Sequence, residues 1–427
     1  MKKAASPNSS TEAFRFRNGS LHADGIDLTE IARLYGTPGY VYCRRAIVSR
    51  FRQFTAAFGD SRHMICYAVK ANPATAIIST LARAGAGFDI VSGGELARVL
   101  EGGGSADRVV FSGVGKMDEE IEAALDAGIR SFNIESPAEL QRLNQLALRR
   151  GAVAPVALRV NPDVTASTHP HISTGGSNHK FGITQQQVAG LAAQMQAMRG
   201  VALKGLAMHI GSQIEQLGPL IAAAGRLCWL VDELRETGIS LDHVDLGGGL
   251  GIGPAAPAIG DYVSALTEVF RQHPDLEIVI EPGRSMVARA GVLLTRVVRI
   301  KHNEVKSFAV VDAGMNDLLR PALYQAHHDI INVETNGAPP SGTYDIVGPV
   351  CETGDTLGSW RRLAIREGSL LAIMDAGAYG AAMSSHYNSR PRCTEVMIDD
   401  NIARLTRQRE TLADLGRQEK FMTTADE

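Results

Sequence analysis

Long apolar runs are missing from this chain: none approaches the roughly 20 residues of a membrane-spanning helix. The opening residues MKKAASPNSSTEAF carry two lysines with no apolar stretch behind them, which argues against a secretory signal. Residues 1–11 are expected to be a flexible lead-in, and the expected compartment is the cytoplasm. Cysteine is scarce, five in 427 residues, and no pair has the CxxC spacing, so a disulfide framework and a zinc ribbon are both excluded. Cys43, Cys66, Cys228 and Cys393 read as small buried hydrophobes. An excess of one charge is lacking too. The net charge is −3, with no basic tail and no interleaving of basic and aromatic residues, so neither nucleic acid nor an anionic membrane is an expected partner.

What is present is an ordinary globular balance, 44% hydrophobic and 21% charged, in a chain long enough for two domains. Its first two-thirds alternate short β-branched runs with longer stretches of helical spacing. Eight runs stand out: 63–69, 88–91, 108–113, 131–135, 156–161, 205–210, 243–247 and 277–281. Helical stretches follow them, among them one opening Ser136-Pro137-Ala138-Glu139, an N-cap, N1 and capping-box pattern. Eight βα units over 41–284 match the roughly 250 residues of a (β/α)8 TIM barrel. An open doubly wound sheet commonly has fewer strands, and the first βα turn lacks GxGxxG.

After residue 284 the strand-like runs continue without a helix of comparable length until about residue 401, which predicts a C-terminal β-sandwich or β-barrel domain. Two of its pieces are alike, VVDAGMND (310–317) and IMDAGAYG (373–380), and suggest two strands delivering loops to one place. The expected domains are therefore a segment 12–40 packing with the β domain, a barrel over 41–284 and a β domain over 285–427. The strand GYVYC is expected to lead into the barrel.

In a parallel barrel the chemistry sits where strands end. The first strand ends in Tyr67-Ala68-Val69-Lys70, and partial desolvation there favours the free amine that Schiff-base chemistry uses. The sixth ends in His209-Ile210-Gly211-Ser212, where a flat imidazole can stack on a ring. The seventh runs into Gly247, Gly248 and Gly249, whose backbone N–H groups suit a phosphate. The eighth ends in Glu281-Pro282-Gly283-Arg284, a carboxylate for a protonated ring nitrogen beside a group for an anion. Glu281, buried near a cation, is expected to stay ionised. Each signal alone also fits a structural role. Together they make the inventory that pyridoxal 5′-phosphate requires.

The segments YAVKAN (67–72), FDIVSGGEL (88–96), HIGSQI (209–214), DLGGGLGI (245–252), EPGRSMVARAG (281–291), MNDLLRPALYQAHH (315–328), GPVCETGD (348–355) and DAGAYGAAMSSHYNSRPR (375–392) resemble the alanine-racemase-like pyridoxal phosphate enzymes, and within them the diaminopimelate decarboxylases. The resemblance covers nearly the whole chain after residue 30. It implies a carboxy-lyase that converts meso-diaminopimelate to L-lysine and CO2, and a homodimer whose active site is completed across the interface. It implies Lys70 as the amine joined to the cofactor and His209 under its ring. Ser212, Gly247 to Gly249 and Glu281 to Arg284 would hold the phosphate and ring nitrogen. Cys351 would be the proton donor, reaching across from the partner chain together with Glu352. Arg284, Arg320, Tyr324, Glu352 and Tyr379 would bind substrate, Tyr379 touching the cofactor as well. A thiol suits proton donation because its usual pKa of roughly 8.5 lies near working pH. Thr353 stands where the family often has serine, a mild departure.

Three alternatives stay open at this level: a decarboxylase for another diamino acid, a pyridoxal phosphate racemase, and a regulatory homologue without cofactor. No metal is expected. His169, His171 and His179 fall on a loop of poor ligand geometry, read instead as a segment that closes over the active site.

Overall fold

The computed structural model describes residues 13–164, 180–335 and 340–420; the loop carrying His169, His171 and His179 lies outside them. The chain divides into two compact units, one of residues 47–287 and one of residues 1–46 with 288–427.

The first unit is a closed barrel. Its strands are His63–Ala68, Gly87–Ile90, Val109–Phe111, Ser131–Ile134, Ala154–Asn161, Val201–Ala207, His243–Asp245 and Glu277–Ile280. Each pairs in parallel with the next, and Glu277–Ile280 returns to His63–Ala68 to close the ring. Alternation along the strands turns Met64, Cys66, Val110 and Val279 toward one another as a buried interior cluster, the side-chain filling that makes such a barrel a core rather than a pore. Helices follow the strands as the spacing predicts, for example Thr75–Arg83, Pro137–Arg149 and Leu217–Glu236. Ser136 Oγ caps the second of these by accepting the Glu139 N–H, with Pro137 in the first turn. Glu139 does not follow the expected box: its carboxylate accepts the Glu135 N–H at 2.9 Å and the buried Lys116 ammonium at 2.6 Å.

The second unit is a β-sandwich built on the long strand Gly291–His302. Its first half pairs with Gly39–Cys43 and Leu370–Ile373, its second half with Ser307–Val311. Gly39–Cys43 is thus a central strand of this unit, between Gly291–His302 and Thr394–Asp399, and not the entry to the barrel. All five of its residues are buried, and a strand covered on both faces has no alternation to betray which sheet it joins. Residues 14–27 form a three-stranded antiparallel sheet, followed by helix Leu28–Tyr35. Phe14, Leu21, Leu28 and Ile31 from these elements share a core with Val41, Val292, Leu294 and Val396. Among the described residues no long helix begins at about residue 401, and only the short helix Leu412–Leu415 follows. Ile402–Arg407 is instead an antiparallel partner of Thr394–Asp399, its β-branched and alternating residues favouring an edge strand.

The two Asp-Ala-Gly loops do meet. Tyr40 Oη donates to the Asp317 carbonyl at 2.7 Å, and a side chain at Gly380 would run into the same hydroxyl. Ser385 N–H donates to the Asn316 carbonyl at 2.9 Å.

Candidate active site

Lys70 lies in the 3-10 turn Val69–Ala71 that ends the first barrel strand. The turn is built by its neighbours. Tyr67 Oη donates to the Asn72 carbonyl at 3.0 Å, and Asn72 Oδ1 accepts the Ala74 N–H at 3.1 Å. The lysine side chain is 36% exposed, and its ammonium pairs with the fully buried Asp89 carboxylate. The sequence pattern gave no sign of this pairing with Asp89.

Behind Lys70 stands a group of buried acids. Asp245 accepts the Gly247 N–H at 2.9 Å and Asn133 Nδ2 at 3.2 Å. Ser112 Oγ donates to Glu281 at 3.4 Å. Burial, then Asp245 and Asp89, push the Glu281 carboxyl well above the usual range, against the pull of Lys70. Burial pushes Asp245 to about 6. Three acids crowd one interior and disfavour each other's charge, so burial and these neighbours oppose the ionised Glu281 expected from the sequence, while Lys70 favours it. Glu95, also desolvated, is pushed to about 7. Among the described residues Asp89 Oδ1, Asn133 Oδ1 and Gln213 Oε1 are buried acceptors without a hydrogen-bond partner.

His209 follows the sixth strand. Its Nδ1 accepts the Gly248 N–H at 3.2 Å, so the proton of the neutral ring is on Nε2. Burial, with Arg159 and Lys70 nearby, pushes its pKa well below the ordinary value and keeps it neutral. Arg284 donates to Ser212 Oγ from Nε at 3.3 Å and from Nη2 at 3.2 Å. The glycine run is packed tightly here. Gly247 and Gly249 have φ of +67° and +104°, and a Cβ at Gly247, Gly248 or Gly249 would strike the carbonyls of Met208, Glu281 or Gly211. The loops after strands six, seven and eight can approach only because these side chains are absent. Lys70, His209, Ser212, Gly247 to Gly249 and Glu281 to Arg284 all lie at strand ends of this one unit.

The other expected residues belong to the β unit. Cys351 and Glu352 sit at the exposed tip of a loop anchored by buried Asp355, whose carboxylate accepts the Val350 and Met315 N–H groups, each at 2.6 Å. The 3-10 turn Tyr387–Ser389 props that tip from two adjacent residues. Asn388 Oδ1 accepts the Cys351 N–H at 2.8 Å, and Tyr387 Oη donates to the Glu352 carboxylate. Arg320, buried, opens the helix Arg320–Tyr324. Tyr379 adopts a left-handed φ of +57°, a strained conformation of the kind concentrated at functional sites.

Comparison with known proteins adds a separate finding. Residues 44–288 match the family model described as pyridoxal-dependent decarboxylase, pyridoxal binding domain. The chain is 49% identical over 408 residues to the diaminopimelate decarboxylase of Vibrio cholerae, covering 95% of this chain and 98% of that one. It is 50% identical over 415 residues to that of Pseudomonas fluorescens, covering 96% and 99%.

This chain belongs to the diaminopimelate decarboxylase family.

Solved members of the family superpose on it. The diaminopimelate decarboxylase from Helicobacter pylori complexed with L-lysine is 39% identical, covers 92% of this chain and 99% of its own, and gives a TM-score of 0.88. The M. jannaschii decarboxylase in co-complex with L-lysine is 37% identical, covers 96% and 98%, and gives 0.91. The architecture, a TIM barrel with a β-sandwich domain, and the pyridoxal phosphate cofactor are those of the family. Nothing in the sequence pattern singled out Asp89 or Asp245. Asp89 lies inside the strand Gly87–Ile90, where a lone acid looks like a break in alternation, and Asp245 ends the strand His243–Asp245, where an acid reads as the start of a loop.

A further polar cluster joins the helix Leu217–Glu236 to the turn that follows Ile259–Val269. Ligand atoms of Cys228, Asp232 and His273 come within 4.8 Å of one another. Arg235 Nη1 donates to His273 Nδ1 at 3.0 Å, which puts the ring proton on Nε2, facing Asp232 at 3.2 Å. A metal bound at Nε2 would need that proton on Nδ1, opposite the guanidinium, so the cluster is built as a hydrogen-bonded chain.

Proposed function

We propose that the chain decarboxylates meso-2,6-diaminopimelate to L-lysine and CO2, working in the cytoplasm as the last step of lysine biosynthesis. The observation that carries the reading is the convergence, at one barrel mouth, of the Lys70 amine, the glycine cradle and the buried Glu281 acid. That donor set fits pyridoxal phosphate. The cradle is one that any Cβ would fill, and the crowded acids are of the sign a protonated ring nitrogen needs. When bound, the cofactor supplies the electron sink for the pair left by the breaking Cα–carboxylate bond.

The chain's own residues would do the rest. Lys70 Nζ is the amine that would hold the cofactor covalently. Neutral His209 offers a flat face without a charge to repel the ring. Gly247 to Gly249, Ser212 and Arg284 hold the phosphate through N–H, hydroxyl and guanidinium donors. Glu281 would be the carboxylate partner of a protonated ring nitrogen. Pro282 and Gly283 bring the Arg284 end of that loop close to the Lys70 turn, where a Cβ at Gly283 would lie 3.1 Å from the side chains of Ala68 and Ala71.

Substrate discrimination falls to the β unit. Diaminopimelate has a second amino-acid head that must be held without reacting. The Arg320 fork suits its carboxylate and Glu352 its ammonium, with Arg284, Tyr324 and Tyr379 as further contacts. Cys351 Sγ would deliver the proton to Cα after CO2 departs. Cys351 and Glu352 would come from the second chain of a homodimer, consistent with their exposed, propped loop. The test is substrate profiling of the purified enzyme supplied with pyridoxal phosphate. Lysine and CO2 in equal amounts from meso-diaminopimelate, with little turnover of L-ornithine or L-arginine, is the expected result. Comparable turnover of those acids would point to the broader decarboxylase reading.

A further inference from the structure

We propose that His328 is a positioning residue for substrate recognition: its imidazole fixes the plane of the Arg320 guanidinium, and so the direction from which a substrate carboxylate is bound. The proposal rests on the reading of Arg320 as a carboxylate binder. Both residues are buried, His328 at 1% exposure and Arg320 at 6%. His328 Nδ1 lies 2.8 Å from the Met374 carbonyl. A carbonyl can only accept, so Nδ1 carries the hydrogen. Nε2 of the neutral ring then presents a lone pair, and Arg320 Nη1 donates to it at 2.9 Å. One tautomer thus satisfies both contacts, and the ring links a backbone carbonyl to the fork.

The backbone on either side holds the ring still. Met374 N–H donates to the Asp329 carbonyl at 2.8 Å, and the His328 carbonyl accepts Arg361 Nη2 at 2.9 Å. Strand Ile330–Asn332, beginning two residues later, pairs with Leu370–Ile373. His328 therefore leaves a sheet edge whose register is set, and its ring has little freedom to turn. A long arginine side chain loses rotamer freedom when it binds a ligand. Holding one Nη beforehand removes part of that loss and aims the fork before the carboxylate arrives. Replacing the lone pair at Nε2 should leave the arginine in place but misdirected, which weakens binding more than chemistry.

Two substitutions separate acceptor loss from loss of the histidine itself. His328→Gln keeps an oxygen acceptor near the Nε2 position, whereas His328→Asn reaches only as far as Nδ1. With the holoenzyme and meso-diaminopimelate, His328→Asn is expected to raise KM roughly ten- to hundred-fold, the range for losing a charged hydrogen bond, with kcat and the cofactor absorbance nearly unchanged. His328→Gln is expected to hold KM within about threefold of the wild type. Equal KM for the Asn variant and wild type, or equal losses in both variants, overturns the proposal. If the Asn variant is too unstable to assay, a Gln variant with a large KM defect still overturns it. Arg320→Met, measured in parallel, identifies which claim failed. A raised KM in Arg320→Met with none in His328→Asn rejects positioning alone, and no change in Arg320→Met rejects the carboxylate-binding reading with it.

Discussion

The residue on which most depends in the barrel is an acid that the free protein disfavours as a charge. Glu281 is pushed up by burial and by Asp245 and Asp89, and Asp245 to about 6. A carboxyl whose folded pKa is raised binds its proton more tightly when folded, so its stabilising contribution is full below the unfolded value near 4 and is lost as pH rises through about 6. Asp245→Asn, measured on cofactor-stripped protein, should therefore flatten the fall in melting temperature between about pH 4 and pH 6 relative to wild type; an unchanged slope would mean that Asp245 does not titrate there. Glu281→Gln cannot supply a full negative charge to a ring nitrogen and should lower kcat by roughly 10²-fold with the protein still folded. Cys351→Ala should lower kcat by roughly 10²- to 10⁴-fold, the usual span for a lost proton donor. The sequence named Lys70, His209, Glu281 and Arg284 because each terminates a readable strand. It could not tell that Glu281 would be crowded by acids, since Asp89 and Asp245 approach it only once the barrel closes. His328, next to His327 in a loop, carried no signal that distinguished its buried ring from the exposed one beside it.

At the scale of elements, the eight barrel strands were legible because each β-branched run stops at a glycine, acid or lysine that begins a loop. Two elements were not. Gly39–Cys43 is buried on both faces and reads alike in either kind of sheet, so only its pairing with Gly291–His302 and Thr394–Asp399 assigns it. Ile402–Arg407 is short, largely exposed and flanked by turns, and its pattern fits an edge strand as readily as a helix start. The long strand Gly291–His302 serves both halves of the sandwich, so its packing should matter beyond its size. Leu293, fully buried and registered against Ile373 and Tyr40, should on replacement by alanine destabilise the β unit by about 2–5 kcal/mol, read as a lower urea midpoint. The glycine loop should respond differently. Gly248→Ala meets the Glu281 carbonyl and should weaken cofactor retention during dialysis more than it lowers the urea midpoint.

For the whole molecule, the two units divide the work: the barrel carries the residues read as holding the cofactor, and the β unit those read as holding the substrate's second head and returning a proton. If Cys351 acts on the partner chain, a mixture of Lys70→Ala and Cys351→Ala proteins, each inactive, should regain up to about a quarter of wild-type activity after subunit exchange, because half the dimers would be hybrids with one complete site of two. No recovery after proven exchange would put both residues in the same chain's site. The whole account turns on the amine at the rim of the barrel, and the measurement that tests it most directly is the Lys70→Ala enzyme, examined for the near-visible absorbance of bound pyridoxal phosphate and for CO2 release from meso-diaminopimelate. The account predicts that both are lost while the circular dichroism spectrum is retained. A folded Lys70→Ala enzyme that keeps the wild-type absorbance band and turns over at the wild-type rate would contradict it.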